Sequence, residues 1–456
     1  MIINIVKGLL AFIRKFKKLI GLASVALIFI YIILPIYQNK INKLLSHAES
    51  AYTQYTEIST TTIYPQLFKC DNYYNNSMLN ETIRNNYSLE ADEKLHEFRF
   101  ARGIVIYYPV KQHGGFESEF RWLYLSWIEM QKYEPSKWRT DLIIFMHVDA
   151  LNSNINVKEF FEGLDCKTEN IRNSKEDKPM CTIVAYVPID KRVENFNKTY
   201  LKSIDPLVLF SHLYKDVNVF DDDDVNIWKF HAILKDLAHY GYLDSIMVGF
   251  EGYKYFKNRF DFLLRSDMDV FLTPLFAKWL PLNCNDFITG RGAYSGDFNM
   301  KRLQKAAKNV NLKPGDVRNL GSTWYSTPNQ FRMVSYLTLV SMVYLSNEEF
   351  SSTERKGKLG VQHWPDWHYG VLLLYGQNLA MNHLISSGQM NITKLDKMID
   401  FPSSKLVSIT SKVHIHVFHG NEIFSKSKFK SGDYDRTALP IRNTNLVSCY
   451  CLKIAL

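Results

Sequence analysis

Residues 260–274, near the middle of the chain, most constrain what this sequence can fold into. The apolar run at 262–264 is typical of a buried strand, and Asp267 and Asp269 follow it with one residue between them. Residues i and i+2 of an extended backbone point to the same side, so both carboxylates can converge just beyond the strand. Open α/β sheets bind ligands there, and two carboxylates suit a hard divalent cation that also binds substrate phosphates. The alternative is a pair of solvated loop aspartates.

The segments before this stretch alternate between strand and helix patterns. Residues 102–109, 142–148 and 182–187 predict strands, a Gly114–Gly115 turn follows the first strand, and residues 117–130 predict a helix. This order predicts an α/β domain over residues 98–440, with a Rossmann-like mixed sheet flanked by helices. No Gly-x-Gly-x-x-Gly follows the first strand, which argues against a dinucleotide site.

An uncharged apolar segment covers residues 19–37. At about 1.5 Å per helical residue it nearly matches a hydrocarbon core of roughly 30 Å. Five basic residues precede it: Lys7, Arg14, Lys15, Lys17 and Lys18. The positive-inside rule then predicts a cytosolic tail (1–18), a signal-anchor helix (19–37), a lumenal stem (38–97), the folded domain (98–440) and a C-terminal tail (441–456). A cleaved signal peptide is the alternative, but its apolar region would be shorter and would end in small residues.

The formal net charge of +9 lies mostly at the N-terminus. Seven basic residues and no acidic residue precede Leu44, which leaves +2 for the rest of the chain. A nearly neutral body provides no electrostatic argument for binding nucleic acid.

Cysteines and sequons fit a lumenal domain. Of the six cysteines, Cys166 and Cys181 bracket a polar segment and are the pair most expected to form a disulfide. The sequence contains no Cys-x-x-Cys motif, so the cysteines give no support to zinc or thiol chemistry. Sequons at Asn75, Asn80 and Asn86 in the stem are consistent with a glycoprotein.

Four further motifs carry residues suited to binding or catalysis. Residues 287–294 predict a strand that enters a glycine-rich loop with Arg291, and residues 318–325 combine small, hydrogen-bonding and aromatic residues of the kind sugars bind. Asp366 lies at a predicted helix start beside Trp367, where it is either a cap or a functional acid. Residues 413–420 alternate apolar and imidazole side chains. The acidic run 221–224 is typical of a helix start or a solvated loop rather than of a metal site.

The Asp267-x-Asp269 motif resembles that of GT-A-type glycosyltransferases, which use nucleotide-diphosphate sugars. Asn319-Leu320-Gly321 is similar to the Asn-x-Gly turn that glycogenin-like enzymes place beside the donor sugar, although an ordinary asparagine-capped turn is equally consistent. The segments RSDMDVFLTP, NLGSTWY, WPDWHYGV and HIHVFH resemble an uncharacterised group of membrane-anchored nucleotide-diphospho-sugar transferase-like proteins.

This resemblance implies a Golgi or ER type II membrane enzyme. Such an enzyme would move a sugar from a UDP-sugar or similar donor to a glycan, protein or lipid acceptor. The implied Mn²⁺ or Mg²⁺ ligands are Asp267, Asp269 and His416 or His419. The implied donor contacts are Asp267, Asp269, Arg291, Gly321 and Ser322, the catalytic residues Asn319 and Asp366, and the stacking surfaces Trp324 and Trp367. The Asp-x-x-Asp-Gln pattern of glycogenin-like enzymes is absent around Asp366, which leaves the stereochemistry open.

Two other functions compete with this one. A lumenal protein of the same fold could bind sugar nucleotides or glycans without turnover. A phosphatase of the haloacid-dehalogenase type also uses Asp-x-Asp, but its motif lies early in the domain and has Thr or Val where this chain has Phe271.

Overall fold

The computed structural model describes residues 99–168, 178–193, 237, 240–257, 259–281, 286–355, 367–417, 423–434 and 445–456. All of them belong to one compact unit, Gln66–Leu456. The predicted cytosolic tail, anchor helix and stem lie outside the described residues, as do the acidic run 221–224, Asp366 and His419. Within the described ranges, no helix is both long enough and apolar enough to cross a membrane.

Two β-sheets organise the described part of the chain. The strands are β1 Phe100–Tyr108, β2 Trp138–His147, β3 Lys167–Thr168, β4 Cys181–Tyr186, β5 Phe262–Arg265, β6 Val270–Leu272, β7 Asp286–Arg291, β8 Leu320–Ser326, β9 Asn391–Lys394, β10 Phe401–Pro402 and β11 His414–His416. The central sheet has the order β3-β4-β2-β1-β5-β8-β7-β9, and the small sheet has the order β10-β11-β6. In the central sheet β8 runs antiparallel to its neighbours β5 and β7, while the other neighbouring pairs are parallel. The predicted mixed α/β sheet is therefore confirmed.

Thirteen helices lie in the described residues, and several of them cover the two faces of the central sheet. They are α1 His113–Gln131, α2 Val148–Ser153, α3 Ile155–Gly163, α4 Ile189–Val193, α5 Asp244–Glu251, α6 Tyr253–Phe256, α7 Pro274–Lys278, α8 Asp297–Asn309, α9 Pro328–Glu348, α10 Ser352–Arg355, α11 Leu372–Ser386, α12 Lys426–Ser431 and α13 Val447–Ala455. The strands predicted over 102–109, 142–148 and 182–187 and the helix predicted over 117–130 correspond to β1, β2, β4 and α1, and are confirmed.

The side chains of β5 alternate between two apolar cores, one on each face of the central sheet. Leu263 packs into the layer that contains α5, α9 and α11, whereas Phe262 and Leu264 pack into the layer that contains α1, α3 and α7. Both faces of such a strand are buried, which explains the unbroken apolar run that the sequence shows at 262–264. The one polar residue of this strand is Arg265 at its last position, and Asp267 lies just beyond that end.

A third apolar cluster joins the small sheet to the C-terminus. Phe271 of β6 stacks on Trp122 of α1, with ring centroids 5.9 Å apart, and Tyr450 of α13 donates a hydrogen bond to the Leu272 carbonyl over 2.8 Å. The predicted boundary at residue 440 therefore falls inside the structural unit, because α13 is part of this core. Sequence alone treated 441–456 as a tail since the partners of this short helix lie far away along the chain.

Cys166 and Cys181 form the predicted disulfide, which is confirmed. It joins the residue before β3 to the first residue of β4. Among the described residues, Cys449 and Cys451 are unpaired and buried in α13. Cys70 and Cys284 lie outside the described residues.

Candidate metal centre

The antiparallel pairing of β5 with β8 positions Asp267. Arg265 lies opposite Trp324 in this pairing, and the same register extended by two residues sets Asp267 opposite Ser322. Accordingly, Ser322 Oγ donates to Asp267 Oδ2 over 2.8 Å, while Arg265 Nη2 lies 3.5 Å from Asp267 Oδ1. The Asp267 side chain is 35% exposed, so it lies at the rim of the central sheet and is accessible to a ligand.

The small sheet brings a late histidine to Asp269. Asp269 directly precedes β6, and His416 ends β11, which pairs antiparallel with β6 so that His416 lies opposite Val270. One further backbone bond extends the pairing, because the Val417 N–H donates to the Asp269 carbonyl over 2.9 Å. His416 Nε2 consequently lies 3.4 Å from Asp269 Oδ1.

Asp267, Asp269 and His416 form one group. A single ligand atom from each residue can be chosen such that all three atoms lie within 4.8 Å of one another. The three side chains are partly buried. Two carboxylate oxygens and one imidazole nitrogen suit manganese or another borderline divalent ion better than calcium. The predicted convergence of the two aspartates with a late imidazole is what the structure shows.

Lys426, at the start of α12, contacts this group. Its ammonium lies 3.1 Å from Asp269 Oδ2 and 2.8 Å from Glu119 Oε1, and Lys430 Nζ lies 2.6 Å from the same Glu119 oxygen. Sequence reasoning missed Lys426 and Glu119. The only available signal was that Glu119, Trp122 and Ser126 lie at helical spacing on one buried face of α1.

The charges around Asp269 shift the pKa values of its neighbours. Burial by itself raises the pKa of the Asp269 carboxyl, but His416 and Lys426 outweigh it and hold this pKa well below its usual range. Burial alone lowers the pKa of the His416 imidazole, whereas Asp269, Asp400 and Asp267 together raise it to about 9. A cation that bound here would therefore meet an ionised carboxylate and would displace a proton from the imidazole.

Asn319 caps a turn next to the site. It has a φ of 51°, and its side-chain oxygen accepts hydrogen bonds from the backbone N–H and the hydroxyl of Ser295, both at 3.1 Å. Its carbonyl accepts from Gly292 over 2.8 Å. The structure thus shows the turn-capping role for Asn319.

Two other predicted donor contacts lie nearby in the central sheet. Arg291 lies exposed at the end of β7, and Gly321 packs tightly against Asp400.

Both predicted stacking tryptophans are buried. Trp324 packs edge-on with Phe287 and Phe331, and the Arg265 guanidinium lies 5.3 Å from its ring centre. Trp367 lies between other groups that cover its ring faces: Phe350, Tyr375 and Arg302. This corrects the expectation that these indoles stack on a sugar, because their faces are occupied by protein side chains. The aromatic content of the two motifs serves the core.

Sequence comparison with curated proteins finds no match. The solved structures to which this chain is similar include three glycosyltransferases, each of low similarity. Mouse xyloside xylosyltransferase 1, in its apo form, has a TM-score of 0.32 at 9% identity, covering 66% of this chain and 87% of the other. The galactosyltransferase LgtC, in complex with donor and acceptor sugar analogues, has a TM-score of 0.33 at 11% identity, covering 77% of this chain and 95% of the other. The bifunctional glycosyltransferase WbbM has a TM-score of 0.32 at 10% identity, covering 74% of this chain and 49% of the other. TM-scores at this level do not establish a shared fold.

A family model gives the clearer assignment, since it spans nearly all of the folded part of the chain. The model described as "Domain of unknown function (DUF7164)" matches residues 96–453, and the chain therefore belongs to this family.

Proposed function

We propose that this protein is a metal-dependent glycosyltransferase of the GT-A type, which transfers a sugar from a nucleotide-diphosphate donor. One observation carries the proposal: Asp267, Asp269 and His416 converge within 4.8 Å at the rim of a mixed α/β sheet. Two carboxylates and an imidazole in such a position suit a divalent ion that also binds a diphosphate.

In this proposal Asp267, Asp269 and His416 hold Mn²⁺ or Mg²⁺. When bound, the ion would neutralise charge that develops on the departing diphosphate. Ser322 orients Asp267 through its hydrogen bond, and Lys426 adds positive charge at the side of the site where Asp269 lies. These groups are held by the backbone before a donor arrives, which is the condition for electrostatic stabilisation of a transition state.

Several finer assignments belong to the same proposal. Asp366, in a segment outside the described residues, would act as the general base toward the acceptor hydroxyl if the enzyme inverts. His419, also outside them, is the alternative third ligand. The donor would contact Arg291 on β7, Gly321 on β8 and Asn319 in the turn before β8.

The proposed location is the Golgi or ER membrane, with residues 19–37 as a type II anchor and the domain in the lumen. The Cys166–Cys181 disulfide supports an oxidising compartment, since cytosolic thiols are kept reduced. The proposed donor is a UDP-sugar, and the acceptor is a glycan, protein or lipid.

A sugar-nucleotide binding protein without turnover is the second candidate. The burial of Trp324 and Trp367 favours it, because these indoles offer no stacking surface to a sugar that is being transferred. Binding and turnover must therefore be measured separately.

The test uses the full chain in detergent and its Asp269→Asn variant. We expect the native protein to bind Mn²⁺ in calorimetry and to hydrolyse one donor from a panel of sugar nucleotides. The variant should bind Mn²⁺ about 100-fold more weakly or worse and lose hydrolysis, because a neutral amide replaces a charged ligand. Asp433→Asn, a change at an aspartate outside the metal centre that contacts Ser431, is the matched control.

Two outcomes would decide against the enzyme. Native protein that binds no divalent ion would remove the basis of the proposal, as would undiminished turnover by a folded Asp269→Asn variant. Tight metal-dependent binding of a sugar nucleotide without hydrolysis or transfer would favour the second candidate.

A further inference from the structure

A second, deeper group of polar side chains lies behind the metal centre. Ser266 Oγ lies 2.9 Å from His414 Nε2, His414 Nδ1 lies 3.5 Å from Asp400 Oδ1, and Thr323 Oγ1 donates to Asp400 Oδ1 over 2.5 Å. We call these four residues the inner relay. None of them is more than 6% exposed. Buried polar groups of this kind are costly unless they are paired, so their arrangement requires an explanation.

Each part of the inner relay adjoins a residue of the metal centre. Ser266 immediately precedes Asp267, and His414 lies two residues before His416 on β11. Thr323 immediately follows Ser322, the donor to Asp267. A hydrogen-bond distance between Ser266 and His414 joins the end of β5 to β11, and the Thr323 hydrogen bond to Asp400 joins β8 to the residue before β10. The two pairs meet where Asp400 packs against His414 Nδ1, a contact that is not a hydrogen bond. These segments determine where the ligand atoms of Asp267 and His416 lie.

The chain is shaped to admit the Asp400 carboxylate. A Cβ added at Gly290 or at Gly321 would collide with this carboxylate, so only glycine fits at both positions. Asp400 itself has a φ of 52°, a left-handed conformation that residues other than glycine seldom adopt. Three backbone positions are thus adapted to place one buried acid beside His414.

The order Ser266–His414–Asp400 also resembles a nucleophilic triad, but burial argues against that role. A nucleophile must reach a substrate, whereas Ser266 is 6% exposed and its hydroxyl also lies within hydrogen-bond distance, 2.9 Å, of the Asp267 carbonyl. The hydroxyl thus contacts the backbone of a metal-centre residue directly. Support of that centre is the role that this geometry allows.

We infer that the inner relay sets the separation of the Asp267 and His416 ligand atoms, which makes His414 and Ser266 positioning residues of the metal centre. The inference rests on the proposed function only in requiring that the centre bind a divalent ion. Partners behind metal ligands commonly change metal affinity by about 10–100-fold when they are removed.

The experiment measures Mn²⁺ affinity of the full chain by calorimetry for Ser266→Ala, His414→Gln and the double variant. We expect each single change to weaken Mn²⁺ binding about tenfold. The double variant should bind Mn²⁺ no more weakly than the single variant with the lower affinity, because both changes break the same contact between Ser266 and His414. Ser403→Ala is the matched control, since Ser403 is a buried serine next to β10 whose hydroxyl has no hydrogen-bond partner among the described residues.

Thr323 provides a test that does not depend on the folding of the His414 variant. Thr323→Val should weaken Mn²⁺ binding, and Thr323→Ser, which keeps the hydroxyl, should restore it. Unchanged Mn²⁺ affinity in folded Ser266→Ala and Thr323→Val proteins would overturn the inference while the proposed function stands. Native protein that fails to bind Mn²⁺ would overturn both.

Discussion

Two regions of the molecule bury charge in different ways. Arg102, in β1, is fully buried, and protein acceptors take all five of its N–H groups. These acceptors are Thr140 Oγ1, Glu134 Oε1 and the carbonyls of Phe276, Ala277 and Trp279, at 2.6–3.2 Å. In the metal centre, by contrast, Asp267 and Asp269 remain 35% and 18% exposed and turn oxygens toward a shared point.

The difference separates structural charge from functional charge. Every hydrogen bond of Arg102 ends within the protein, so nothing further can bind and the charge serves only the fold. The two aspartates lie close together, and although Arg265, His416 and Lys426 lie beside them, both carboxylates keep part of their surface exposed. Groups of this kind are typical of sites completed by a ligand.

The largest effect is expected for Arg102→Met. This change leaves Glu134 buried, where 4% of its side chain is exposed, and removes its ion-pair partner. The free energy of unfolding should fall by about 3–5 kcal/mol, as measured by denaturant titration. The folded variant should bind Mn²⁺ with native affinity. A loss of Mn²⁺ affinity without loss of stability would break the distinction between the two regions.

Lys426→Met should act on the metal centre in the opposite direction from most substitutions. It removes an ammonium 3.1 Å from Asp269 Oδ2, so Mn²⁺ should bind about tenfold more tightly, equivalent to about 1.4 kcal/mol. Stability should change little, because Lys430 still pairs with Glu119. Lys430→Met, at a lysine that pairs with Glu119, should leave the affinity nearly unchanged. Weaker Mn²⁺ binding by the Lys426 variant would show that its charge assists the ion instead of competing with it.

His383 represents a third arrangement, in which a buried ionisable group stays neutral. Burial and the nearby charge of Lys313 lower the pKa of its imidazole to about 4, and its Nδ1 accepts from the Lys313 N–H over 2.9 Å. The unfolded chain binds this proton below about pH 6.5, so the unfolded state holds more protons between pH 6.5 and 4, and stability falls as the pH falls through that window.

The effect of His383 should be the smallest of the three. Between pH 7 and 5.5 the native protein should lose about 1 kcal/mol more stability than His383→Asn, whose side-chain oxygen can accept the same hydrogen bond without titrating. Denaturant titrations at both pH values measure the difference. Equal losses in the two proteins would show that His383 titrates normally in the folded state.

The local patterns of the sequence were sufficient for much of the fold. Apolar runs and helical spacing predicted β1, α1, β2, β4 and β5, because burial on both faces of a parallel sheet leaves a strong signature over a few residues. The spacing of Asp267 and Asp269 predicted their convergence for the same reason, since it depends only on the extended backbone. The Cys166–Cys181 pair was also local enough to be chosen correctly.

Only the tertiary structure decided which distant residues complete the metal centre. The sequence by itself put His414 and His416 on one face of a strand, but the pairing of β11 with β6 brought His416 to Asp269 and directed His414 inward to Ser266. β11 is three residues long, so its register comes from contacts across the small sheet rather than from its own pattern. The burial of Trp324 and Trp367 and the placement of Lys426 likewise depend on packing between remote segments, which no local spacing encodes.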